Sequence, residues 1–565
     1  MKVPVGRSNF RELIEEGFIY VDKTEYIEKL EDMGLGCVLF LRPRRFGKSL
    51  FISMLSYYYD INCKDLFDSI FGNTYIGKKP TIKRNNYYIL NFNFSGIDTK
   101  DEQSTEASFL NKIKFEIKRF IKKYNLNIDL TVTNSAADIM NEFLSQIPST
   151  VNIYVMIDEY DHFTNELLGF NTALFAKMVQ ENGYIRKWYE ILKEYSSTCI
   201  SKFFITGVTP ITLDSLTSGF NIHTNMTTSL RLHNMMGFTE GEVKGIIDKL
   251  NPKDKEKVFS DMENHYNGYI FSKDVDMRLF NSNMVLFYIN KYQDRNTFPE
   301  ELTDESIITD HHKLENLFDL YMGVENKDEI IRALLDNKEI PGVIETKIVY
   351  KNGLRDTNFI SLLFYLGMVT ISRSDFERIF FKIPNYVTRR VYFDFFRAYL
   401  ETAHDIVINV SKTKDALWQL QNNNLKPLMG EVEKVLNKIS NRDYIKFDEK
   451  YVKLIMLQYL FNSNTFNVKS EYEVYDGYID IALLPNNSAI SNYYYVMEVK
   501  YLKADEGDKL EGKRKEAIEQ ISKYLLSDEL MQIKNLKKYV IVFVGDKCEV
   551  CEEITISHSH NNVSI

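Results

Sequence analysis

Two groups of residues in this chain have the types and spacing to do chemistry. The first is Arg42-Pro43-Arg44-Arg45-Phe46-Gly47-Lys48-Ser49, which follows the apolar run 37–41 directly and precedes an apolar helical pattern. Strand, Gly-Lys-Ser, helix is the order of a phosphate-binding loop, because backbone N–H groups at a helix start form a concave anion site. Lys48 is expected to bridge the β- and γ-phosphates of ATP, and the Ser49 hydroxyl to sit on Mg2+. Asp158 and Glu159 end the apolar run Ile153-Tyr154-Val155-Met156-Ile157, 110 residues after Lys48. Asp158 is expected to hold that Mg2+ and Glu159 to polarise the attacking water. Thr206, at the tip of the next strand, is expected to touch the γ-phosphate or that water. Arg42 stands where the loop's first glycine is usual. With Pro43, Arg44, Arg45 and Phe46 it makes a stiffer, cationic loop that still wraps phosphate and adds charge.

The second group lies near the C-terminus, where Glu498-Val499-Lys500 follows Gly477-Tyr478-Ile479-Asp480, with Glu498 18 residues after Asp480. Strand alternation puts Glu498 and Lys500 on one face and Val499 on the other. Two carboxylates close together repel unless they share a divalent cation. Mg2+ held by Asp480, Glu498 and the Val499 carbonyl would polarise a scissile phosphate and acidify a bound water. Lys500 would orient that water or stabilise charge in the transition state. Glu449 adds a metal-binding carboxylate from the preceding helix, and Gln520 comes from the following one. The competing readings are a solvated strand end for Asp158-Glu159, and exposed charges on amphipathic strands for the second group.

Such residues need rigid elements behind them. Strands at 37–41, 88–94, 152–157 and 201–206 alternate with helices at 48–59, 103–124 and 134–146. That implies a mostly parallel sheet with helices on both faces. One strand falls in sequence between the loop and the Asp-Glu strand, the order of the ATPases that use a catalytic glutamate. From 240 to 440 the pattern is mainly helical. Residues 358–371 read as helix, glycine stop and strand, and 387–402 as helix. This is either a winged-helix-like unit or an interdomain helical spacer. The last part reads as helix 447–461, strands 466–473, 477–484 and 493–499, helix 507–527 and strand 538–545. The expected fold is α/β multidomain, with domains at 1–240, 241–440 and 441–565.

Length and composition set the frame. A chain of 565 residues exceeds one ordinary core, and 44% hydrophobic with 26% charged residues is a globular composition. A net charge of −9 excludes a global basic field, so nucleic-acid binding must use local patches. Lys500, Lys503, Lys509, Lys513, Arg514 and Lys515 form such a patch or a solvated helix face. No apolar run reaches the roughly 18–20 residues of a membrane span, and the first residues lack a signal peptide's apolar core. A cytoplasmic location with no membrane partner is expected. Five cysteines suit a reducing compartment. Cys548 and Cys551 with His558 and His560 place four zinc-type ligands within 13 residues, although a strand end and polar tail is the expected reading. The runs Tyr57-Tyr58-Tyr59 and Tyr493-Tyr494-Tyr495 suit base stacking, but packing is the commoner use.

Nearly the whole chain resembles the AAA-ATPase-like family of bacterial proteins that carry a C-terminal nuclease-like domain. The resemblance rests on Val5-Gly6-x-x-x-Phe10, Tyr20-Val21-Asp22-Lys23-Thr24, the Arg42–Ser49 loop and Ile157-Asp158-Glu159-Tyr160-Asp161. Thr206-Gly207-Val208, Gly237-Phe238-Thr239-Glu240 and Tyr266-Asn267-Gly268-Tyr269 match it too. Arg42 in place of glycine is normal for that family. Asp480 with Glu498-x-Lys500 is similar to the core of a PD-(D/E)XK nuclease. The resemblance implies a phosphate-loop ATPase, a helical middle and a restriction-endonuclease-like α/β domain, with ATP and two Mg2+ sites. DNA is the expected partner and RNA the alternative, while a homo-oligomer stays open. Asp22 and Lys23 either approach the adenine or ribose, or cap a helix. The expected function is ATP-regulated, metal-dependent DNA cleavage. The alternative is a nucleotide-switched signalling or binding protein whose nuclease fold is a non-catalytic docking module.

Overall fold

The structure is a computed structural model that describes residues 1–131, 134–180, 182–300, 302, 327–349, 356–376, 378–404, 408–440, 448–461, 463–475, 477–487, 489–524 and 528–555. The chain forms two compact units. One comprises Met1–Asn296, Thr303–Lys327 and Glu339–Asn385, and the other Thr297–Leu302, Asp328–Lys338 and Tyr386–Ile565.

The first unit is built on five parallel strands. In chain order its main elements are β1 (Cys37–Leu41), α1 (Lys48–Tyr59), β2 (Tyr88–Asn93), α2 (Glu102–Lys123), α3 (Ala136–Ser145), β3 (Ile153–Asp158), α4 (Tyr184–Glu194), β4 (Ile200–Gly207) and β5 (Thr224–Asn225). The strand order is β2-β3-β4-β1-β5. Every residue of β1 and β3 is buried, as unbroken apolar runs require in a sheet covered on both faces. Parallel pairing aligns Leu41 with Gly207 and Ile157 with Ile205. The phosphate loop and the Asp158-Glu159 pair therefore leave the same carboxyl edge on either side of the β4 tip, where α/β sheets hold ligands. Helix α2 starts where the Asp101 carboxylate accepts from the Ser104 N–H, and it buries Phe109, Ile113, Ile117 and Phe120 at helical spacing.

The rest of this unit supports that edge. Helix α5 (Glu240–Leu250) opens with a Thr239–Glu242 capping box, followed by α6 (Lys255–Tyr266) and α7 (Ser282–Arg295). Strand β6 (Ile340–Gly342), helix α8 (Asp356–Tyr365), β7 (Thr370–Asp375) and β8 (Arg378–Lys382) then form a small antiparallel sheet of order β6-β8-β7 with its helix. Gly367 at φ 75° turns the chain out of α8 into β7, the glycine stop read from the sequence.

The second unit contains α9 (Tyr386–His404), α10 (Val410–Gln419), α11 (Lys426–Ser440) and α12 (Glu449–Leu460). After them come β9 (Asn467–Val474), β10 (Gly477–Leu484), β11 (Tyr494–Leu502), α13 (Leu510–Tyr524), β12 (Leu536–Val544) and β13 (Lys547–Glu553). Its sheet runs β13-β12-β11-β10-β9, with only β11 and β12 parallel. Ala517 and Ile521 of α13 pack on Val496, Val540 and Val542.

The α/β multidomain fold is the one expected, with one addition. Residues 547–553 form a strand, not a tail, and Cys551 pairs in register with Ile541. His558 and His560 lie outside the described residues. Tyr58, Tyr59 and Tyr495 are buried in cores, so those positions pack and do not stack bases. Among the described residues no helix is long and apolar enough to cross a membrane.

Gly268 is a sensitive joint of the first unit. It holds φ 114°, and a Cβ there would stand 2.1 Å from the Pro384 carbonyl oxygen. Gly268→Ala is expected to destabilise this unit by roughly 3 kcal/mol, read as a lower denaturation midpoint. Gly245→Ala, within α5 and facing open space, should be neutral or slightly stabilising.

Candidate functional site

The phosphate loop is shaped by what its carbonyls do. Those of Arg42 and Pro43 accept from Lys48 Nζ at 2.9 Å each. The Arg44 carbonyl accepts from Asn281 Nδ2, that of Arg45 from Ser282 Oγ and the Asn283 N–H, and that of Phe46 from the Gly237 N–H. With five successive carbonyls tied away, the first N–H groups of α1, which have no intrahelical acceptor, are left to an anion. The turn needs left-handed backbone at Arg45 (φ 70°) and Gly47 (φ 92°). The first is strained for a side-chain-bearing residue.

Arg42 holds the loop from behind. Its guanidinium is 1% exposed and lies 4.2 Å from the ring centres of both Phe40 and Phe271. It donates to the carbonyls of Leu41, Thr227 and His233. The expectation that every loop arginine adds charge toward phosphate fails for Arg42, whose charge faces carbonyls and rings. Phe46 is wedged edge-on against Tyr269 and Phe271, at 5.0 and 5.4 Å.

A cavity of about 490 Å³ opens over the loop, a volume that suits a nucleotide. Arg44, Arg45, Phe46, Gly47, Lys48, Ser49 and Glu159 line it, together with apolar Leu13, Ile19, Met54, Met235 and Met236. Burial lowers the Lys48 pKa to about 8, against the pull of Asp158, Asp161 and Glu159. A bound phosphate would relieve that cost. Asp158 is 5% exposed. Its Oδ1 accepts from the Thr206 hydroxyl at 2.9 Å and the Glu159 N–H at 3.0 Å, and its Oδ2 from Asn93 Nδ2 at 3.3 Å. Thr206 therefore sits at the strand tip as expected, with its hydroxyl turned to Asp158. Glu159 holds φ 49°, a left-handed conformation at the position that would face the attacking water.

In the second unit the β10–β11 ladder pairs Ile481 with Met497. At the next step the Asp480 Oδ2 takes the Val499 N–H at 2.8 Å. This places Asp480 beside Glu498 on the neighbouring strand. Lys500 Nζ lies 2.9 Å from Glu498 Oε1 and 3.5 Å from Glu449 Oε1, so these four expected residues meet. Burial and the neighbouring Asp480 push the Glu498 carboxyl up to about 8, although Lys500 opposes the shift. Glu498 Oε2 is buried and accepts no hydrogen bond. An orphaned acceptor beside a second carboxylate fits a metal ligand. Among the described residues no three His, Cys, Asp or Glu groups converge closely enough to hold an ion; Lys500 stands between Glu498 and Glu449. Gln520 Oε1 is likewise buried without a partner.

Residues 4–217 match the family model described as predicted AAA-ATPase, and residues 447–553 match that of the PD-(D/E)XK nuclease superfamily. The chain carries an AAA-ATPase-like domain and a C-terminal PD-(D/E)XK nuclease-superfamily domain. An uncharacterized protein in the vnfD 5' region of Azotobacter chroococcum mcd 1 is 25% identical over 272 residues, or 47% of this chain. The alignment spans 48% of that relative, about half its length.

Within the AAA-ATPase-like domain, Asp22 and Lys23 are tied into the fold, and Lys23 also lines the cavity over the loop. Asp22 accepts from the N–H groups of Thr24 and Tyr75, and Lys23 Nζ donates to the Asn234 carbonyl and to Glu242. Sequence reading missed Asp161, whose buried carboxylate accepts from the N–H groups of Val208 and Thr209. It also missed His162, which lines the cavity with Nδ1 3.3 Å from Arg44 Nη2 and 3.7 Å from Glu159 Oε2. The spacing of His162 three residues after Glu159 was the available signal. In the PD-(D/E)XK domain the basic patch is largely paired: Lys509 with Glu506, Lys513 with Glu516, and Arg514 with Glu511 and Glu552. That is the solvated-face reading.

Two outcomes follow. Arg42→Ala leaves three carbonyls without donors and a hole between two rings, and is expected to cost about 2–5 kcal/mol in chemical denaturation. Arg42→Lys should recover little, since one ammonium does not reproduce the planar fork. At the second site the proton on Glu498 competes with a divalent ion below about pH 8. Calorimetric Mn2+ affinity should therefore rise with pH, by up to about tenfold per pH unit, and level off above that point. Glu498→Gln should abolish the pH slope.

Proposed function

We propose that this chain hydrolyses ATP in its N-terminal domain and cleaves DNA in its C-terminal domain, with nucleotide state regulating cleavage. Magnesium is the proposed ion at both sites. The observation that carries the reading is the loop whose carbonyls are tied back while Lys48, Ser49 and Glu159 line one cavity. The buried, unpartnered Glu498 Oε2 beside Asp480 and Lys500 supports the nuclease half.

In this reading Lys48 exchanges the carbonyls of Arg42 and Pro43 for β- and γ-phosphate oxygens. Ser49 and Asp158 hold the metal, and the hydrogen bonds from Thr206 and Asn93 fix Asp158 for that task. Glu159 takes the proton of the attacking water. In the C-terminal domain Asp480, Glu498 and the Val499 carbonyl would hold the ion, with Glu449 beside them. The ion supplies Lewis acidity and a more acidic water. Lys500, now paired with Glu498, would orient that water or stabilise the developing phosphate charge. The net charge of −9 confines DNA contacts to local cations.

The test is cleavage of linear, circular and single-stranded DNA in Mg2+, with and without ATP, alongside ATP turnover. Lys48→Ala and Glu159→Gln should each lower turnover by about 100-fold or more. Asp480→Ala should abolish cutting while leaving turnover intact, and Lys48→Ala should remove the effect of ATP on cutting. Protein that turns over ATP yet cuts neither DNA nor RNA would sink the nuclease half in favour of the docking module.

A further inference from the structure

Lys453 is a buried cation in the PD-(D/E)XK domain that the proposed chemistry leaves unused. It follows Glu449 by one helical turn on α12, on the same face. Its side chain is 4% exposed. Lys453 Nζ lies 3.2 Å from Asp336 Oδ1 and 3.5 Å from Asp480 Oδ1, and it donates to Glu471 Oε1. Asp336 follows the helix Lys327–Leu335 and also pairs with Lys338 at 3.1 Å. Glu471, on β9, holds φ 49°.

The two oxygens of Asp480 thus have different surroundings. Oδ2 takes the Val499 N–H next to Glu498, and Oδ1 faces Lys453. A carboxylate with a cation position on each side is the bridging element of a two-metal phosphoryl-transfer site, where the ions stand about 3.5–4 Å apart. Here one of those positions already holds an ammonium. Lys500 differs, since it has two carboxylates, Glu498 at 2.9 Å and Glu449 at 3.5 Å, against three around Lys453, and the second Glu498 oxygen is unpartnered. Lys453 sits among three carboxylates, and its removal would leave Asp336, Glu471 and Asp480 around an uncompensated point. As they stand these three carboxylates do not converge closely enough to hold an ion; with the ammonium gone, they would be oxygen donors free to close on a hard divalent ion.

We propose that Lys453 permanently fills the second cation position beside Asp480, so that this site takes a single divalent ion on its Glu498 side. The inference rests on the nuclease reading above. It makes Lys453 a positioning residue that fixes Asp480 and sets the ion count.

The full-length chain, free of nucleotide, is titrated with Mn2+ by calorimetry and electron paramagnetic resonance. The native chain should bind one ion that Asp480→Asn removes. Lys453→Met should bind two, and adding Glu471→Gln should take the second away. Two Asp480-dependent ions in the native chain would overturn the proposal and leave the nuclease reading standing. So would a folded Lys453→Met chain that still binds one ion. If Lys453→Met fails to fold, the native count decides alone. No Asp480-dependent ion in the native chain would overturn the nuclease reading and this inference together.

Discussion

The phosphate loop depends on a guanidinium that never reaches phosphate. Arg42 is buried between Phe40 and Phe271 with only carbonyl oxygens as hydrogen-bond partners. Burial lowers its pKa to about 9, so the charge is held at a cost. That cost is tolerable because the planar fork reaches three carbonyls at once and two rings cover its faces. The Leu41, Thr227 and His233 backbones are thereby joined at the end of β1, and the next seven residues take their course from that point. A glycine here would supply flexibility without the joint. Arginine gives a stiff loop whose shape is set before a nucleotide arrives, the condition under which binding energy is not lost to ordering.

The second site is governed by a different constraint, the balance of buried charge. Asp480, Glu498, Glu449, Glu471 and Asp336 place five carboxylates near one strand pair, and Lys500 and Lys453 lie between them. Burial first, and then the neighbouring Asp480, raise the Glu498 carboxyl, as expected where carboxylates crowd out of water. The two lysines act in different ways. Both are buried, but Lys500 has one acceptor at 2.9 Å and a second at 3.5 Å, while Lys453 has three carboxylates around it. The same residue type thus serves once as a placeholder and once as a fixture, and the difference lies in the number of acceptors around each ammonium.

Much of this was legible in the sequence because it depends on local pattern. The bounds of β1, α1 and β10 follow from apolar runs and a Gly-Lys-Ser turn, signals carried by adjacent residues. Asp480, Glu498 and Lys500 were found because strand alternation and hairpin order place them. Lys453 was not found, since its acceptors come from three separate elements and only the tertiary fold unites them. Arg42 was misread for the same reason: Phe271, Thr227 and His233 lie 185 or more residues away. Strand β13 was missed because Cys548-Glu549-Val550-Cys551 lacks a strong apolar alternation and pairs across a register shift near Val542.

The segments that carried the family resemblance gain a physical meaning from these contacts. Gly237 holds the Phe46 carbonyl, and a Cβ there would press on the Phe46 ring at 3.0 Å. Tyr269 packs on the same ring, and Gly268 lets its backbone pass Pro384. Lys23, from the segment ahead of β1, bonds Glu242, whose carboxylate also caps α5. Motifs distant in sequence therefore converge on one eight-residue loop, some of them, such as Lys23 and Gly237, lining its cavity as well. A change in Lys48's partners is felt first at the carbonyls of Arg42 and Pro43. Both belong to the segment that Arg42 pins to residues 227 and 233. The Lys48 ammonium and the packing around Arg42 are thus joined through one short stretch of backbone.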